Sequence, residues 1–255
     1  MIRSILTGIF ALTGFIIIWQ ITVMATGVPR FILPPPDSVL HAFVENSGLI
    51  AEHAMVTLTE VVLGLIIGIL LGISTALHLE MSLSARLFLR PILIFSQAIP
   101  VFALAPLLTL WLGYGMISKV TMAVLIIYFP VTSALHDGLV NTPAGYLHLS
   151  SVMGASKLKV LFLIKVPAAM PSLLSGIRLS AVYAPIGATI GEWVGSSQGL
   201  GYLMLLANGR VKTDLMFAAL FTLGALSMSL YGLISLLIRR YFGRFQANGT
   251  SDRIG

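Results

Sequence analysis

The sequence predicts an all-α membrane protein with about six transmembrane helices. Hydrophobic residues make up 57% of its 255 residues, charged residues make up only 9%, and the mean hydropathy is +0.99. A soluble domain carries roughly 25% charged residues, so this chain has too few charges to cover a water-facing surface. The apolar residues also form runs of the length, roughly 20 residues, that a helix needs to cross a bilayer.

The first transmembrane helix is predicted from Ile5 to about Met24. No charged residue occurs between Arg3 and Arg30, so the apolar run is long enough to cross the bilayer core. A cleaved signal peptide is the alternative, but its apolar core normally has about 7–15 residues. An uncleaved span is therefore favoured, and with its outer connecting segment it fills residues 1–56.

The connecting segment contains three consecutive prolines within residues 29–37, which predict an extended chain. Residues 41–53 are polar enough for a surface helix outside the bilayer. The following residues, 57–240, are predicted to form a core of five transmembrane helices. Residues 241–255 are polar and predict a loose cytoplasmic tail.

The second span is predicted over residues 57–79. Gly64, Gly68 and Gly72 recur every four residues and give the helix one smooth face on which another helix can pack closely. Glu60 stands near the outer end of this span, where a carboxylate can reach the membrane interface.

The third span is predicted over residues 91–112, after a short polar loop at residues 81–90. Pro100 and Pro106 interrupt this span. Prolines free carbonyls that neighbouring groups must satisfy, so such helices often bend around a cavity. Gln97, near the first bend, either faces that cavity or hydrogen-bonds between helices.

The fourth span is predicted over residues 117–135 and carries Tyr128. His136-Asp137-Gly138 is expected to close it. We expect no metal site there, because no further ligands stand at a suitable spacing.

The fifth span is predicted over residues 168–191, and Arg178 lies near enough to its first end to snorkel toward the interface. Glu192 and Trp193 are expected to begin a glycine-rich outer loop that ends at Gly201. The sixth span is predicted over residues 215–238, and the arginines that follow are expected to stop it.

A long break between the fourth and fifth spans predicts two short helices. The first covers residues 146–153, and Gly154 breaks it because glycine reaches backbone angles that other residues avoid. Ser156 can cap the second helix, over residues 157–165. Pro167 cannot continue the hydrogen bonding and is expected to end that helix.

The second short helix presents one apolar face with basic edges. The residues that share helical spacing on this face are Leu158, Leu161, Phe162 and Lys165. A short pair of helices with exposed apolar side chains, between two membrane spans, is expected to bind in a groove of a soluble partner protein.

The distribution of lysine and arginine predicts the orientation. With six spans and both termini in the cytoplasm, ten basic residues lie inside and four outside, which satisfies the positive-inside rule. The inner residues are Arg3, Arg86, Arg90, Lys157, Lys159, Lys165, Arg239, Arg240, Arg244 and Arg253, and the outer ones are Arg30, Lys119, Arg210 and Lys212. The net charge of +6 is thus explained by topology, and no nucleic-acid partner is expected.

Three runs define a family pattern: Gly154-Ala155-Ser156, Val166-Pro167-Ala168-Ala169-Met170-Pro171 and Ser175-Gly176-Ile177-Arg178. This pattern resembles the signature loop of the binding-protein-dependent ABC importer permeases, and the resemblance covers the chain from about Thr57 onward. In that family the loop begins with Glu-Ala-Ala, six residues before the glycine. Here His148-Leu149-Ser150 stand at those positions, so the acidic residue is missing while the helix–Gly–helix–Pro shape is kept.

The resemblance implies a type I permease of the bacterial inner membrane that pairs with a second permease chain, most simply a copy of itself. Cytoplasmic ATPase subunits would bind ATP and Mg²⁺ and grip residues 145–165, so this chain would hold no cofactor and be no enzyme. A binding protein outside would deliver the solute. The residues implied to couple to the ATPase are Tyr146, His148, Met153, Gly154, Ala155, Ser156, Leu158, Leu161, Phe162 and Pro167. The residues assigned to the translocation pathway are Gln97, Pro100, Tyr128, Tyr183, Glu192 and Trp193.

Two further runs, residues 184–204 and 214–220, resemble the nitrate, sulfonate and taurine branch of that family. Within the branch they look most like permeases for hydroxymethylpyrimidine, the thiamine precursor. An aminopyrimidine could stack on Tyr202 or Trp193 and hydrogen-bond Glu192, whereas an anionic alkyl sulfonate, taurine or nitrate would be repelled by that carboxylate. The alternative for Glu192 is a gate or loop anchor that never touches the solute.

Other classes of protein fit the sequence less well. The chain has no phosphate-binding Gly-x-x-x-x-Gly-Lys motif and no cysteine, and no histidine follows Ser197 in its Gly-x-Ser-x-Gly string, so no ATPase or hydrolase site is expected. A secondary transporter would need intramembrane ionisable groups and usually internal repeats, but most charges stand at span ends and the halves do not match. A structural membrane subunit would leave the Gly154 loop unexplained.

Overall fold

The computed structural model describes residues 2–247, and every regular element in that range is helical. The long helices are α1 (Ile2–Thr26), α3 (Ser47–Met81), α6 (Met116–Val140), α9 (Val166–Gly195) and α11 (Thr213–Ala247). The shorter ones are α2 (Pro36–Glu45), α4 (Leu83–Ala98), α5 (Val101–Leu112), α7 (Ala144–Val152), α8 (Lys157–Val160) and α10 (Leu200–Gly209). In the described residues, α3, α6, α9 and α11 are long and apolar enough to cross a membrane, and α4 with α5 makes a fifth if that bent pair is one span.

Helices α3, α6 and α9 pack against one another and form the centre of the bundle. The glycine stripe predicted on the second span makes this packing possible. A Cβ atom added at Gly64 would lie 2.5 Å from Ala123 Cβ, and one at Gly68 would lie 2.8 Å from Ile127 Cγ2. Gly72 meets Val131 in the same way, so one face of α3 lies directly against α6, as the spacing predicts.

Two predicted boundaries around the second span are wrong. Helix α3 begins at Ser47, so residues 47–53 belong to the same long helix and not to a separate surface helix. The polar loop predicted at residues 81–90 shrinks to Ser82, because Ser82 accepts a hydrogen bond from Ala85 N at 3.2 Å and caps a new helix. The polar residues of this stretch are accommodated on α4 without a loop.

The third predicted span is bent by 102° between α4 and α5. The break lies at Ile99 and Pro100, and Pro100 precedes the first turn of α5 with ψ of 120°. Pro106 lies inside α5 and Pro91 inside α4 without ending either helix. Only one of the two predicted proline interruptions therefore breaks the chain's helical path.

Pro167 does not end a helix, contrary to the prediction. The chain runs without interruption from α8 through a π-helical turn, Leu161–Lys165, into α9. Proline lacks an N–H and its ring clashes with the carbonyl four residues earlier. The wider π-helical turn ends at Lys165 and changes the local hydrogen-bond register, and Pro167 then lies in the first turn of α9, where proline is tolerated.

Three helices extend beyond their predicted ends. Helix α6 runs past His136-Asp137-Gly138 to Val140, and α9 includes Glu192 and Trp193. Helix α11 continues through Arg239 and Arg240 to Ala247, because a helix that leaves the bilayer does not have to stop there. The rest of the predicted tail, residues 248–255, lies outside the described residues.

Candidate functional site

Two polar sites lie at opposite ends of the bundle, and the segment between α6 and α9 forms the first. We call residues 145–165 the coupling loop, after the ATPase coupling that the family resemblance implies for it. Gly154 has φ of +66° and separates α7 from α8, which is the break that the sequence predicts. Ser156 Oγ lies 3.5 Å from Lys159 N, so the predicted cap is present at the limit of a hydrogen bond.

The coupling loop presents a row of apolar side chains on its surface. Tyr146, Met153, Leu158 and Phe162 are each more than half exposed. Leu161 is the exception, because it is 4% exposed and belongs to the central core. Leu161 therefore anchors the loop in this structure and does not present a surface to a partner. The remaining predicted coupling residues divide into exposed ones, His148, Gly154 and Ser156, and half-buried ones, Ala155 and Pro167.

An ion pair that the sequence did not reveal ties the coupling loop to the end of α3. Lys165 Nζ lies 2.6 Å from Glu80 Oε1, and Arg86 lies 3.3 Å from the other oxygen of the same carboxylate. The Lys165 and Glu80 side chains are 19% and 11% exposed. The pair is thus partly shielded from water, which strengthens it relative to a surface ion pair.

The second site lies at the other end of α9, where Glu192 holds residues 195–201, which we call the glycine loop. Glu192 is 1% exposed. Its carboxylate accepts hydrogen bonds from the Thr57 hydroxyl at 2.6 Å and from the backbone N–H of Gly201. The Thr57 oxygen in turn accepts from Leu200 N at 2.8 Å. In this structure Glu192 joins the glycine loop to α3.

His53 adds a third attachment between α3 and the glycine loop. Its Nδ1 accepts a hydrogen bond from Gly199 N at 3.0 Å, and its ring lies 5.8 Å from the ring of Tyr202. Gly199 has φ of +104°, and a Cβ atom there would collide with the Glu192 carboxyl group. The close approach and the backbone angle both require glycine at this position.

A buried ion pair lies beside Glu192. Lys119 Nζ lies 3.5 Å from Glu60 Oε1, with side chains 9% and 1% exposed. Neither Glu60 oxygen has a hydrogen-bond partner among the described residues, although the Glu60 and Glu192 carboxyl groups interact. Sequence reasoning placed Glu60 at the membrane interface, whereas the structure buries it. One feature of the sequence indicates this burial: Glu60 is a carboxylate within an apolar run. A charge in the membrane is energetically unfavourable unless another group pairs with it.

The other residues predicted for a pathway are dispersed. The Tyr128 hydroxyl donates to Thr75 at 2.9 Å, and the Gln97 amide contacts Ser96 at 3.4 Å. Pro100 is exposed at the bend between α4 and α5, and Tyr183 and Trp193 are 39% and 48% exposed on α9. These contacts link neither Tyr128 nor Gln97 to Glu192.

Comparisons with known proteins agree with this architecture. Residues 64–246 match the family of binding-protein-dependent transport system inner membrane components. An ABC transporter permease of Haemophilus influenzae is 50% identical over 89% of this chain and 92% of its own length. The formylaminopyrimidine transport permease ThiX of Halalkalibacterium halodurans is 36% identical over 83% of this chain and 85% of its own.

The riboflavin transport permease RibX of Chloroflexus aurantiacus is 37% identical over 88% of this chain and 84% of its own. Among solved structures, an inward-facing MetNI methionine ABC transporter matches with a TM-score of 0.67 at 17% identity, covering 77% of this chain and 97% of the other. That similarity supports the fold. The chain belongs to the family of inner membrane components of binding-protein-dependent transport systems, the permease subunits of ABC importers.

Proposed function

We propose that this permease imports an aminopyrimidine precursor of thiamine, such as hydroxymethylpyrimidine. The observation that carries the proposal is the 36% identity to the formylaminopyrimidine permease ThiX, which extends over most of both chains. The taurine permease TauC of Escherichia coli is 25% identical over a similar share, so a sulfonate or taurine is the weaker alternative. The family assignment disfavours a secondary transporter.

Riboflavin is the second candidate solute, because RibX is as similar to this chain as ThiX is. The two solutes differ greatly in size, since a flavin has three fused rings and a ribityl chain. Glu192 does not discriminate among the candidates, because its carboxylate is buried against Thr57 and Gly201. The expectation that Glu192 contacts or repels the solute therefore loses its support in this conformation.

The proposed mechanism couples the two ends of the bundle through α3. A motion of the coupling loop, imposed by ATPase subunits that bind ATP and Mg²⁺, would be transmitted to Glu80 by Lys165. Glu80 and Thr57 lie on the same helix, 23 residues apart, which is about 35 Å along the axis. Displacement of α3 would pull Thr57 away from Glu192 and release the glycine loop, so the opposite face would open.

The complete transporter would contain a second permease copy, two ATPase subunits and an extracytoplasmic binding protein. We place both termini and the coupling loop in the cytoplasm of a bacterial cell, and the glycine loop outside. This orientation is supported by the ten basic residues against four that it leaves inside and outside. His148 stands where the family has an acidic residue, and among the described residues the Lys165–Glu80 pair is the charged link of the coupling loop to the bundle.

Uptake measurements test the proposed solute. In a strain whose growth requires an external pyrimidine, deletion of this chain should abolish high-affinity uptake of labelled hydroxymethylpyrimidine. Unlabelled pyrimidine should compete for uptake in the complemented strain, while riboflavin and taurine should not. Uptake that is unchanged by the deletion, or that riboflavin or taurine competes away, would overturn the proposal.

A further inference from the structure

We propose that a cavity between α3, α4 and α6 is a solute-binding site inside the permease, and that it takes a small, neutral, planar heterocycle bearing amino or hydroxyl groups. The inference rests on the proposed function, because it gives the imported solute a place within the membrane subunit. The cavity has a volume of about 240 Å³. Its polar wall consists of Arg90, Thr132, Ser133, His136 and Asp137.

His136 is the group in this wall that lacks a partner. His136 is 5% exposed, and neither Nδ1 nor Nε2 has a hydrogen-bond partner among the described residues. A buried polar group left unpaired costs about 1–3 kcal/mol. His53, the comparable buried histidine, is paired with Gly199 N. A molecule in the cavity that carries both a donor and an acceptor would satisfy His136 in the same way.

The hydroxyl groups of the wall offer acceptors to the cavity. Thr132 donates its proton to the carbonyl of Tyr128 at 2.7 Å, and Ser133 donates to Asp137 Oδ2 at 3.3 Å. Since both protons are used within the protein, the oxygen lone pairs remain available. An amino group on a ring, which supplies two N–H donors, matches this arrangement.

The charges around the cavity favour a neutral solute. Arg90 contributes one positive charge and Asp137 one negative charge, so the wall carries no net formal charge. A sulfonate attracted by Arg90 would also be repelled by Asp137. A cation attracted by Asp137 would likewise be repelled by Arg90. A ring with polar but uncharged substituents is repelled by neither side chain.

The apolar wall and the volume limit the size of the solute. Phe129, Leu79 and Leu93 supply apolar lining to the same cavity, and an aromatic ring packs well against such side chains. A volume of about 240 Å³ lies below the range of about 300–1,000 Å³ typical for drug-sized ligands. A single substituted ring fits this space, and a flavin with its ribityl chain does not.

The absence of cysteine from the chain allows a direct test with one introduced thiol. Ser133→Cys places a thiol on the cavity wall, and Ser47→Cys places one on the exposed start of α3. We expect saturating hydroxymethylpyrimidine to slow the reaction of a methanethiosulfonate reagent with Ser133→Cys at least fivefold in the purified full-length chain. Modification of Ser47→Cys should be unaffected, and riboflavin and taurine should protect neither thiol.

A second measurement isolates the role of His136. His136→Asn in the complete transporter should raise the KM for pyrimidine uptake at least tenfold while the maximal rate changes less than threefold. His78→Asn, an exposed histidine on α3, is the matched control and should leave KM unchanged. If wild-type cells import no pyrimidine, the proposed function fails. If they import it, but Ser133→Cys is unprotected or the KM of His136→Asn is normal, the cavity assignment alone fails.

Discussion

The Nζ atom of Lys165 lies 2.6 Å from Oε1 of Glu80, across 85 positions of the sequence. Lys165 ends the π-helical turn that precedes α9, and Glu80 stands one residue before the end of α3. The ion pair therefore joins the coupling loop to the helix that carries Thr57, 23 residues before Glu80. Arg86 on α4 contacts the same carboxylate, so three helical segments meet at this point.

Removal of the Glu80 carboxylate should weaken both the fold and the coupling. Glu80→Gln leaves Lys165 and Arg86 without their shared partner in a partly shielded position, and we expect a loss of about 1–2 kcal/mol in stability. In proteoliposomes with the ATPase, solute imported per ATP hydrolysed should fall severalfold. The thermal unfolding midpoint and this ratio are the two measurements.

The charge-reversed pair provides the control for that prediction. Glu80→Lys combined with Lys165→Glu should recover part of what either single reversal loses, although Arg86 then faces a lysine. Recovery identifies the direct ion pair as the cause, since unrelated damage would add up in the double variant. If Glu80→Gln has the stability of the wild type and imports as much solute per ATP, the Lys165–Glu80 ion pair contributes neither to stability nor to coupling.

The attachment of the glycine loop should be sensitive to a single methyl group at Gly199. This residue has φ of +104° and ψ of 161°, a region that is almost restricted to glycine and costs other residues about 1–3 kcal/mol. An added Cβ would also collide with the Glu192 carboxyl group. We expect Gly199→Ala to detach the loop, lower the unfolding temperature and raise ATP hydrolysis in the absence of solute.

Gly209→Ala is the matched control for Gly199→Ala. Gly209 ends α10, and a Cβ atom there would meet nothing within 4 Å. Its substitution should leave stability and basal hydrolysis near wild-type values. Equal behaviour of the two variants would show that the glycine loop does not depend on the fit between Gly199 and Glu192.

Loss of the Glu192 carboxylate should also detach the glycine loop, because this carboxylate accepts hydrogen bonds from Thr57 and Gly201. Glu192→Gln keeps the size of the side chain but has one acceptor oxygen for the two donors, Thr57 Oγ1 and Gly201 N, that Glu192 satisfies. We expect a loss of about 1–3 kcal/mol and faster hydrogen exchange in the glycine loop. Glu45→Gln, an exposed carboxylate at the end of α2, should change neither; unchanged exchange in Glu192→Gln would remove the anchoring role.

Local patterns in the sequence predict the local parts of this structure well. The spacing of Gly64, Gly68 and Gly72 predicts a close helix contact, and Gly154 followed by Ser156 predicts a break and a cap, all of which the structure contains. Each depends on residues within one or two helical turns. The path of the chain at Pro167 was predicted wrongly, because a π-helical turn leaves no recognisable pattern in five apolar and basic residues.

No pattern in the sequence predicts the cluster of charged residues beside the glycine loop. Glu60, Lys119 and Glu192 lie on three different helices and are separated by 59 and 73 positions. Each one, taken alone, resembles a charge at the end of a span. Only the packing of α3, α6 and α9 brings them together, and no spacing within any one helix encodes that packing.

Gly154 should be sensitive to substitution although it has open space around it. A Cβ atom there meets nothing within 4 Å, but φ is +66°, so any other residue pays a conformational cost of about 1–2 kcal/mol. Gly154→Arg adds a long side chain on the surface that we assign to the ATPase. We expect import to fall at least tenfold while the permease itself remains folded.

Gly145→Arg separates the effect of conformation from the effect of charge. Gly145 lies in α7 in the same loop, also with open space, and its φ is not positive. Its substitution should reduce import less than Gly154→Arg does. Normal import by Gly154→Arg with its ATPase would show that the turn at Gly154 has no part in coupling.

The orientation of the chain can be tested with single cysteines, because the protein has none of its own. Lys157 begins α8 and Gln198 lies in the glycine loop, and both side chains are exposed. With both termini in the cytoplasm, an impermeant maleimide added to intact cells should label Gln198→Cys, and Lys157→Cys should be labelled only after the cells are opened. Labelling of Lys157→Cys in intact cells would place the coupling loop outside, where no ATPase is available. Both variants should react equally in detergent, which ensures that any difference in intact cells arises from the membrane and not from burial of the thiol.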